Sequence, residues 1–189
     1  MQLTKLVLLS AAVLTLQGCI AATAVTVAAG ASIATDKRSI GNQIDDQTIE
    51  LKAHAKLSEQ EALNDNTNIQ VVSVNGSVLV VGQTPNTYLR DMAIKALNNV
   101  EGINVLHNQI RIGNTTSIAT RTNDIWLTSK VKTALFANGK INASNVKVVT
   151  ENGEVFLMGL VTKQDADEAV NVARNLGGVN RVYKMFEYQ

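Results

Sequence analysis

The single cysteine of this 189-residue chain stands at the end of an apolar segment, a position that suits lipid attachment better than disulfide or metal chemistry. The segment follows a lysine, runs through residues 6–16 and ends in Leu16-Gln17-Gly18-Cys19. A short positive start followed by an apolar run of this kind is typical of a secretory signal. The run is too short to span a bilayer, which needs about 20 residues.

The residues that end this segment look like a bacterial lipobox, in which a small residue directly precedes the cysteine. That resemblance implies cleavage before Cys19, a diacylglyceryl thioether on its sulfur and an acylated amine, and two or more acyl chains anchor a protein stably. Residues 1–18 are therefore predicted to be a lipoprotein signal peptide and residues 19–44 a lipidated tether. Ile20, where Asp would favour retention, favours transfer to the outer membrane. Because residues 20–34 are also apolar, an uncleaved membrane anchor is the alternative.

The residue types that usually carry catalysis form no recognisable constellation. His54 and His107 have no cysteine or carboxylate at ligand spacing, so we predict no metal site, no cofactor and no enzymatic activity. The formal charge of +1, from 17 basic and 16 acidic residues, argues against a nucleic-acid partner, which usually requires a strongly basic domain. Acidic groups stand where helices are expected to begin, where carboxylates favour the helix dipole: Asp45 with Asp46, and Asp165 with Asp167 and Glu168.

The chain contains one unit twice, and its apolar content of 46% is enough for a core. Residues 74–82 read VNGSVLVVG and residues 151–159 read ENGEVFLMG, an offset of 77. Upstream of these segments, Asp46 corresponds to Asp124 at an offset of 78. Downstream, residues 102–103 correspond to residues 178–179 at an offset of 76. Three matches in order, drifting by one residue, indicate a duplication with single-residue gaps in its loops.

Each copy predicts the element order α-β-β-α-β. Two β-branched strands are joined by Asn-Gly, the strongest short signal for a hairpin. Gly82 and Gly159 end the second strand of each hairpin, where a tight turn or a close backbone approach explains them. A second helix and a last strand, at residues 105–111 and 181–188, complete each copy. The first helices show apolar positions at 3.6-residue spacing: Ile49, Ala53 and Leu57 in the first copy, and Leu127, Val131, Ala134 and Leu135 in the second.

The hairpin with its closing glycine, the Gly-Ile or Gly-Val pair after the second helix and the helix–strand order resemble BON domains. Two copies behind a lipobox resemble dual-BON outer-membrane lipoproteins. The resemblance implies an α+β fold, with domains at residues 45–113 and 123–189 and a linker at 114–122. Each domain would be a three-stranded mixed sheet packed on two helices. The protein would be non-enzymatic, lipid-anchored to the outer membrane and facing the periplasm.

The same resemblance implies binding of anionic phospholipid, support of outer-membrane integrity and a position at the division site. It further implies links to the barrel-assembly machinery and to the regulation of peptidoglycan amidases. Two hypotheses follow from it. The protein is either a phospholipid-binding module or a protein adaptor for which lipid contact is incidental.

The first helix of the second copy is the candidate lipid-binding element, and the resemblance assigns lipid contact to it. Residues 45–113 carry five basic and eight acidic residues, whereas residues 123–189 carry eight basic and seven acidic residues. A tryptophan beside a lysine at an apolar edge suits a membrane interface. Alternatively, the tryptophan closes the edge of the core or the joint between the copies. The predicted phospholipid-binding residues are Ile125, Trp126, Lys130, Thr133 and Ala137.

Both faces of the predicted hairpins are apolar. Val78 and Val80 alternate with Leu79 and Val81, and the second copy repeats the pattern at residues 155–158. A sheet face that meets water should be polar at alternate positions. We therefore predict that the two copies pack on one another through at least one of these faces.

Overall fold

Two α+β repeats with the same element order make up the described part of the protein. The computed structural model describes residues 40–189, with side chains from Gln43 onward, so the predictions for residues 1–18, for Cys19 and for most of the tether lie outside the described residues. The first repeat contains α1 (Ile40–Ser58), α2 (Glu61–Asn64), β1 (Asn68–Val74), β2 (Ser77–Thr84), α3 (Thr87–Leu97) and β3 (Val105–Ile112). The second contains α4 (Ile118–Asn138), a 3-10 turn (Ala143–Asn145), β4 (Lys147–Glu151), β5 (Glu154–Val161), α5 (Lys163–Arg174) and β6 (Arg181–Tyr188).

The first helix of each repeat starts earlier than the sequence indicates. Helix α1 begins at Ile40, inside the predicted tether, and α4 begins at Ile118, inside the predicted linker at 114–122. The polar composition of the linker conceals a helix start, because the Ser117 hydroxyl accepts a hydrogen bond from the Thr120 N–H at 3.1 Å. A serine at this N-cap position satisfies an N–H that has no partner inside the helix.

Each repeat has its own three-stranded mixed sheet. The middle strand, β2 or β5, is antiparallel to its hairpin partner and parallel to the last strand. Both Asn-Gly turns have positive φ at both residues, 55° and 75° in the first repeat and 51° and 74° in the second, as a type I′ turn requires. Gly82 and Gly159 also have positive φ, and a Cβ on either would overlap the carbonyl oxygen of Asn68 or Asn145. A side chain at either position would therefore clash with the backbone at the start of its hairpin.

The helices of each repeat cover one face of its sheet and form a separate core. The predicted inner faces of α1 and α4 are buried, except that Ala134 is half-buried. The second helices add Leu89, Ala93 and Leu97 in the first repeat and three alanines in the second. The strand residues that meet these helices include Val78 and Val80 in the first repeat and Val155 and Leu157 in the second.

The other faces of the two sheets pack against each other. Their apolar side chains form one buried cluster that contains residues of both repeats. Phe156 is stacked on Tyr183 with ring centroids 4.8 Å apart and ring planes at 7°. The prediction that the repeats pack through their sheets is confirmed. The buried members are Val72, Val74, Leu79 and Val81 from the first repeat and Val149, Phe156 and Met158 from the second.

Polar contacts between the repeats surround this apolar cluster. The Arg111 guanidinium donates to the Glu154 carboxylate at 2.9 Å and to the Tyr183 hydroxyl at 2.8 Å. The Gln83 amide donates to the Glu151 carboxylate. Burial raises the pKa of the Glu151 carboxyl, and the hydrogen bond from Gln83 opposes that rise. The joint between the repeats is therefore both packed and hydrogen-bonded, which fixes their relative orientation.

We expect Phe156→Ala to lower the free energy of unfolding by about 3–5 kcal/mol, because it opens a cavity between the two sheets. Chemical denaturation followed by circular dichroism measures the change. Phe136→Ala is the matched control, since Phe136 is 62% exposed and its removal should change the free energy by no more than about 0.5 kcal/mol. Equal effects of the two substitutions would contradict the packing described here.

Candidate functional site

A buried carboxylate fixes the rotation of α4 about its own axis. Asp124 accepts hydrogen bonds from the backbone N–H groups of Asn152 and Gly153, both at 2.8 Å. These residues form the hairpin turn between β4 and β5, so the carboxylate ties the helix to the turn. Asp124 therefore points inward, and the residues on the opposite side of α4 point away from the protein. Asp46 does the same in the first repeat, where it accepts from the N–H groups of the Asn75-Gly76 turn at 2.7 and 3.0 Å.

The side of α4 opposite Asp124 is unusually apolar for an exposed surface. Its large side chains are 76%, 69%, 56% and 62% exposed at Ile118, Ile125, Trp126 and Phe136. A surface helix normally carries charged and polar residues on the face opposite its core. We call this surface the outer face of α4; it consists of Ile118, Ile125, Trp126, Ser129, Thr133, Phe136 and Ala137.

The hydroxyl groups on and beside the outer face are already satisfied within the helix. Ser129 donates to the carbonyl of Ile125 at 3.1 Å, and Thr133 donates to the carbonyl of Ser129 at 2.9 Å. Thr122 donates in the same way to the carbonyl of Ile118 at 2.9 Å. Since each hydroxyl has its donor hydrogen engaged, moving it out of water costs less than moving a free hydroxyl. The polar residues of the outer face are thus compatible with an apolar environment.

Lys130 lies between Trp126 and the end of helix α5. Its ammonium is 4.8 Å from the centroid of the indole ring and donates to the carbonyl oxygen of Gly177 at 2.7 Å. A lysine within about 6 Å of an aromatic ring is attracted to the ring face. The lysine therefore connects the ring to the loop that follows α5.

The charges around the outer face are basic. The only acidic residue of α4 is Asp124, which is buried, whereas Arg121 and Lys132 are exposed. At about 100° per residue, these two cations fall on the Ile125 side of the outer face and Lys130 falls on the Trp126 side. The outer face is thus an apolar strip with cations along both flanks.

The corresponding surface of the first repeat has different chemistry. Thr48 stands where the second repeat has Trp126, and Lys52 pairs with the Glu101 carboxylate at 3.4 Å where Lys130 meets the Gly177 carbonyl. A cavity of about 480 Å³ opens beside these residues. Helix α1 also exposes Leu51, but it carries the exposed Asp45, and the exposed Glu59 follows its last residue. The two first helices therefore share a scaffold and differ in the surface that they present.

The structure brings all five predicted lipid-contact residues onto one side of α4. Ile125, Trp126, Thr133 and Ala137 are exposed, and Lys130 is half-buried beside the tryptophan ring. Trp126 is 56% exposed and belongs to neither buried cluster of its repeat, in contrast to what the alternative, a ring that closes a core or the joint, would require of a fully covered residue. Sequence reasoning missed Ile118 and Phe136. Their spacing from Ile125, seven residues before and eleven after, places them on the same side and would have identified them.

The predicted capping role of Asp45 and Asp46 is wrong, because α1 begins at Ile40 and Asp46 holds the hairpin turn. Thr162, by contrast, caps α5 and shares a hydrogen bond with the Asp165 side chain at 2.9 Å. His54 is exposed on α1, and His107 Nε2 lies 3.1 Å from the Ser77 hydroxyl. In the part of the chain that the structure describes, no three His, Cys, Asp or Glu side chains are grouped so that they could hold a metal ion.

Both repeats match one known family. The sequence profile of the BON domain covers residues 45–114 and 123–189. The chain therefore belongs to the BON domain family and carries two of these domains in tandem, each with the α+β fold that the resemblance implied.

Three relatives narrow the class of protein. The outer membrane lipoprotein DolP of Haemophilus influenzae is 40% identical over 186 residues, which is 98% of this chain and 96% of that protein. The 21 kDa hemolysin of Actinobacillus pleuropneumoniae is 40% identical over 153 residues, 81% of this chain and 79% of that protein. The osmotically-inducible protein Y of Escherichia coli is 28% identical over 157 residues, 82% of this chain and 78% of that protein.

The chain is accordingly a dual-BON lipoprotein of the outer membrane, and the localisation predicted from the lipobox is confirmed. Over residues 40–189, no helix has the length and apolar character needed to cross a membrane.

We expect Asp124→Ala to lower the free energy of unfolding by at least about 2 kcal/mol, because two turn N–H groups lose a charged acceptor. Asp124→Asn keeps one carbonyl acceptor and should have a smaller effect. Thermal denaturation followed by circular dichroism compares them. Asp167→Ala is the control, since Asp167 forms only an exposed pair with Lys184, worth no more than about 1 kcal/mol. If Asp124→Ala lowers the free energy of unfolding no more than Asp167→Ala does, the turn does not depend on the Asp124 carboxylate.

Proposed function

We propose that this protein is a non-enzymatic, lipid-anchored component of the outer membrane that faces the periplasm and docks on anionic phospholipid through the outer face of α4. Cys19 carries the lipid, and the outer face provides a second, reversible contact with a membrane surface. Support for outer-membrane integrity follows from this contact, and we extend the proposal to action at the division site. The observation that carries the docking proposal is the apolar strip formed by Ile118, Ile125, Trp126 and Phe136.

The apolar strip favours a membrane because exposed apolar side chains gain free energy when they leave water. Burial of apolar surface contributes about 25 cal/mol for each Å² removed from water. An amphipathic helix that lies in the interface inserts such a face to the boundary between headgroups and acyl chains. Trp126 suits this depth, since indole rings concentrate at the headgroup level.

The cations favour anionic lipid over a neutral surface. A basic residue close to an anionic membrane contributes about 1 kcal/mol. Arg121 and Lys132 are exposed on α4, and no exposed carboxylate on the same helix opposes them. Helix α1 carries the exposed Asp45 and is followed by the exposed Glu59, so an anionic surface would be less favourable there. The second repeat is therefore the better candidate for membrane contact.

Trp126 reports directly on this contact, because it is the only tryptophan in the chain. We expect the lipoprotein, reconstituted into vesicles of phosphatidylethanolamine and phosphatidylglycerol, to show Trp126 emission at shorter wavelength than in phosphatidylcholine vesicles. Brominated acyl chains should quench this emission. Phe136→Glu should abolish both effects, because it places a carboxylate in the strip without touching either core.

Leu51→Glu is the matched control, since Leu51 is an exposed apolar residue on the first helix of the other repeat. It should leave the emission shift unchanged. Equal loss in the two variants would contradict docking through α4. If wild-type emission is the same on both kinds of vesicle, the adaptor hypothesis is favoured, in which the protein binds the barrel-assembly machinery or regulators of peptidoglycan amidases.

The lipid attachment is tested separately. Cys19→Ser removes the sulfur that would accept the diacylglyceryl group, so we expect an unprocessed precursor that retains residues 1–18. Mass spectrometry of the N-terminal peptide distinguishes it from a triacylated mature protein. An unmodified and uncleaved N-terminus in the wild-type protein would favour the uncleaved anchor instead.

A further inference from the structure

We propose that the cations beside the outer face of α4 have different tasks. Lys130 is a positioning residue that holds the Trp126 ring, whereas Lys132 and Arg121 contact the lipid phosphate. This division rests on the proposed function, because it assigns the residues that serve the membrane contact. It reverses the simple expectation that the lysine next to the tryptophan binds the headgroup.

Lys130 already has partners within the protein, which leave fewer of its three N–H donors for a phosphate. Its ammonium donates to the Gly177 carbonyl at 2.7 Å and lies 4.8 Å from the centroid of the Trp126 ring. The residue is half-buried between them. The hydrogen bond to the carbonyl is charge-assisted, and it is therefore stronger than one between neutral groups. A phosphate that drew the ammonium away from both partners would separate the ring from the loop after α5.

The equivalent lysine of the first repeat supports this assignment. Lys52 has no tryptophan beside it and pairs with the Glu101 carboxylate at 3.4 Å, with both side chains largely exposed. In the second repeat, Gly177 stands where the first has Glu101, so the lysine meets a backbone carbonyl instead. The glycine leaves the ammonium without a competing carboxylate and available to the indole ring.

Lys132 and Arg121 are placed to meet a headgroup. Both are exposed, and within residues 43–189 neither side chain makes a hydrogen bond or an ion pair, although the charge of Arg121 lowers the pKa of the nearby Glu151 carboxyl against the larger rise caused by burial. Lys132 is four residues before Phe136 and Arg121 is four residues before Ile125, so each is a direct neighbour of the apolar strip on the helix surface. When the strip enters the interface, these two cations reach headgroup level.

A groove of about 750 Å³ between the repeats runs beside the same two cations. Lys147 adds a third cation to its lining. The carboxylates of the groove are engaged: Glu50 accepts from the Ser73 N–H at 2.8 Å, Glu151 accepts from Gln83, and Asp124 holds the hairpin turn. The groove thus gives a phosphate on this flank room to approach the cations while the nearby carboxylates are held by other donors.

The test uses the full lipoprotein in phosphatidylethanolamine–phosphatidylglycerol vesicles and follows Trp126 emission as NaCl is added. Lys132→Gln and Arg121→Gln should each weaken docking about fivefold, the ratio given by about 1 kcal/mol for one basic residue. Each variant should therefore release α4 at a lower salt concentration than the wild type. Lys95→Gln is the matched control, since Lys95 is an exposed lysine on α3 and should leave the release unchanged.

Lys130→Met should behave differently. We expect its Trp126 emission to differ from the wild type even in phosphatidylcholine vesicles, where no docking occurs, because the ring has lost its neighbour. Its salt concentration for release should stay within twofold of the wild type. Lys130→Arg, which keeps the charge and the donor, should restore the emission. Soluble glycerophosphate at matched ionic strength should not change the emission in phosphatidylcholine vesicles. This control distinguishes binding to an anionic lipid surface from binding of a free phosphate group.

The division of tasks is overturned if Lys130→Met lowers the release concentration as far as Lys132→Gln, or if neither Lys132→Gln nor Arg121→Gln lowers it. A glycerophosphate response equal to that of anionic vesicles would overturn the assignment to lipid. If wild-type emission does not respond to anionic vesicles at all, the proposed function fails together with this inference. The substituted residues Lys95, Arg121, Lys130 and Lys132 lie outside the cores, so the circular dichroism spectra of the variants should be unchanged. An unchanged spectrum shows that a difference in docking arises from the surface and not from the fold.

Discussion

The hydrogen bonds from two turn N–H groups to the Asp124 carboxylate determine what the second repeat can present to its surroundings. A helix that packs only through aliphatic side chains can rotate slightly about its axis at small cost, because apolar contacts have little direction. A buried carboxylate with two N–H donors at 2.8 Å cannot rotate without leaving donors and a charge unpaired. With the rotation of α4 fixed, the direction of Ile118, Ile125, Trp126 and Phe136 is fixed as well.

The packing of the two sheets against each other explains why these helices lie on the outside. Each hairpin is apolar on both faces, and the helices of its repeat cover one of these two faces. The remaining faces meet at Leu79, Val81, Phe156 and Met158, which are buried almost completely. Face-to-face packing of this kind leaves the helix layers as the two outer layers of the molecule. The outer face of α4 is therefore carried by a rigid support rather than by a mobile arm.

The sequence was sufficient to predict the repeat, the hairpins and the packing of the sheets, because each depends on residues within a short stretch. Asn75-Gly76 and Asn152-Gly153 specify their turns through positive φ, and the apolar alternation of β2 and β5 reveals two covered faces. The role of Asp46 was not predicted, although its match with Asp124 was visible. Its partners lie nearly 30 residues later in the chain, and a carboxylate near a helix start has a simpler local explanation.

The same distinction applies to the candidate site. Trp126 and its exposed neighbours follow from helical spacing, which local sequence supplies. The attachment of Lys130 to the Gly177 carbonyl depends on how the loop after α5 returns to α4, which only the folded chain reveals. The helix start at Ile118 was also not predicted, because the sequence around it is polar and has the composition of a linker. The capping hydrogen bond at Ser117 is visible only in the folded chain. Consequently the outer face is longer than the sequence suggested, and it includes an isoleucine from the predicted linker.

The two repeats illustrate how a duplicated scaffold can separate stability from surface function. Asp46 and Asp124 perform the same structural task, so both first helices are held in the same orientation. The differences lie at positions that no core constrains: Thr48 against Trp126, and Glu101 against Gly177. Replacing a carboxylate by a glycine frees a lysine for the indole ring, and the ring then gains a fixed neighbour. Because these changes touch only exposed positions, the second repeat could acquire an apolar, basic surface without disturbing the packing that both repeats share.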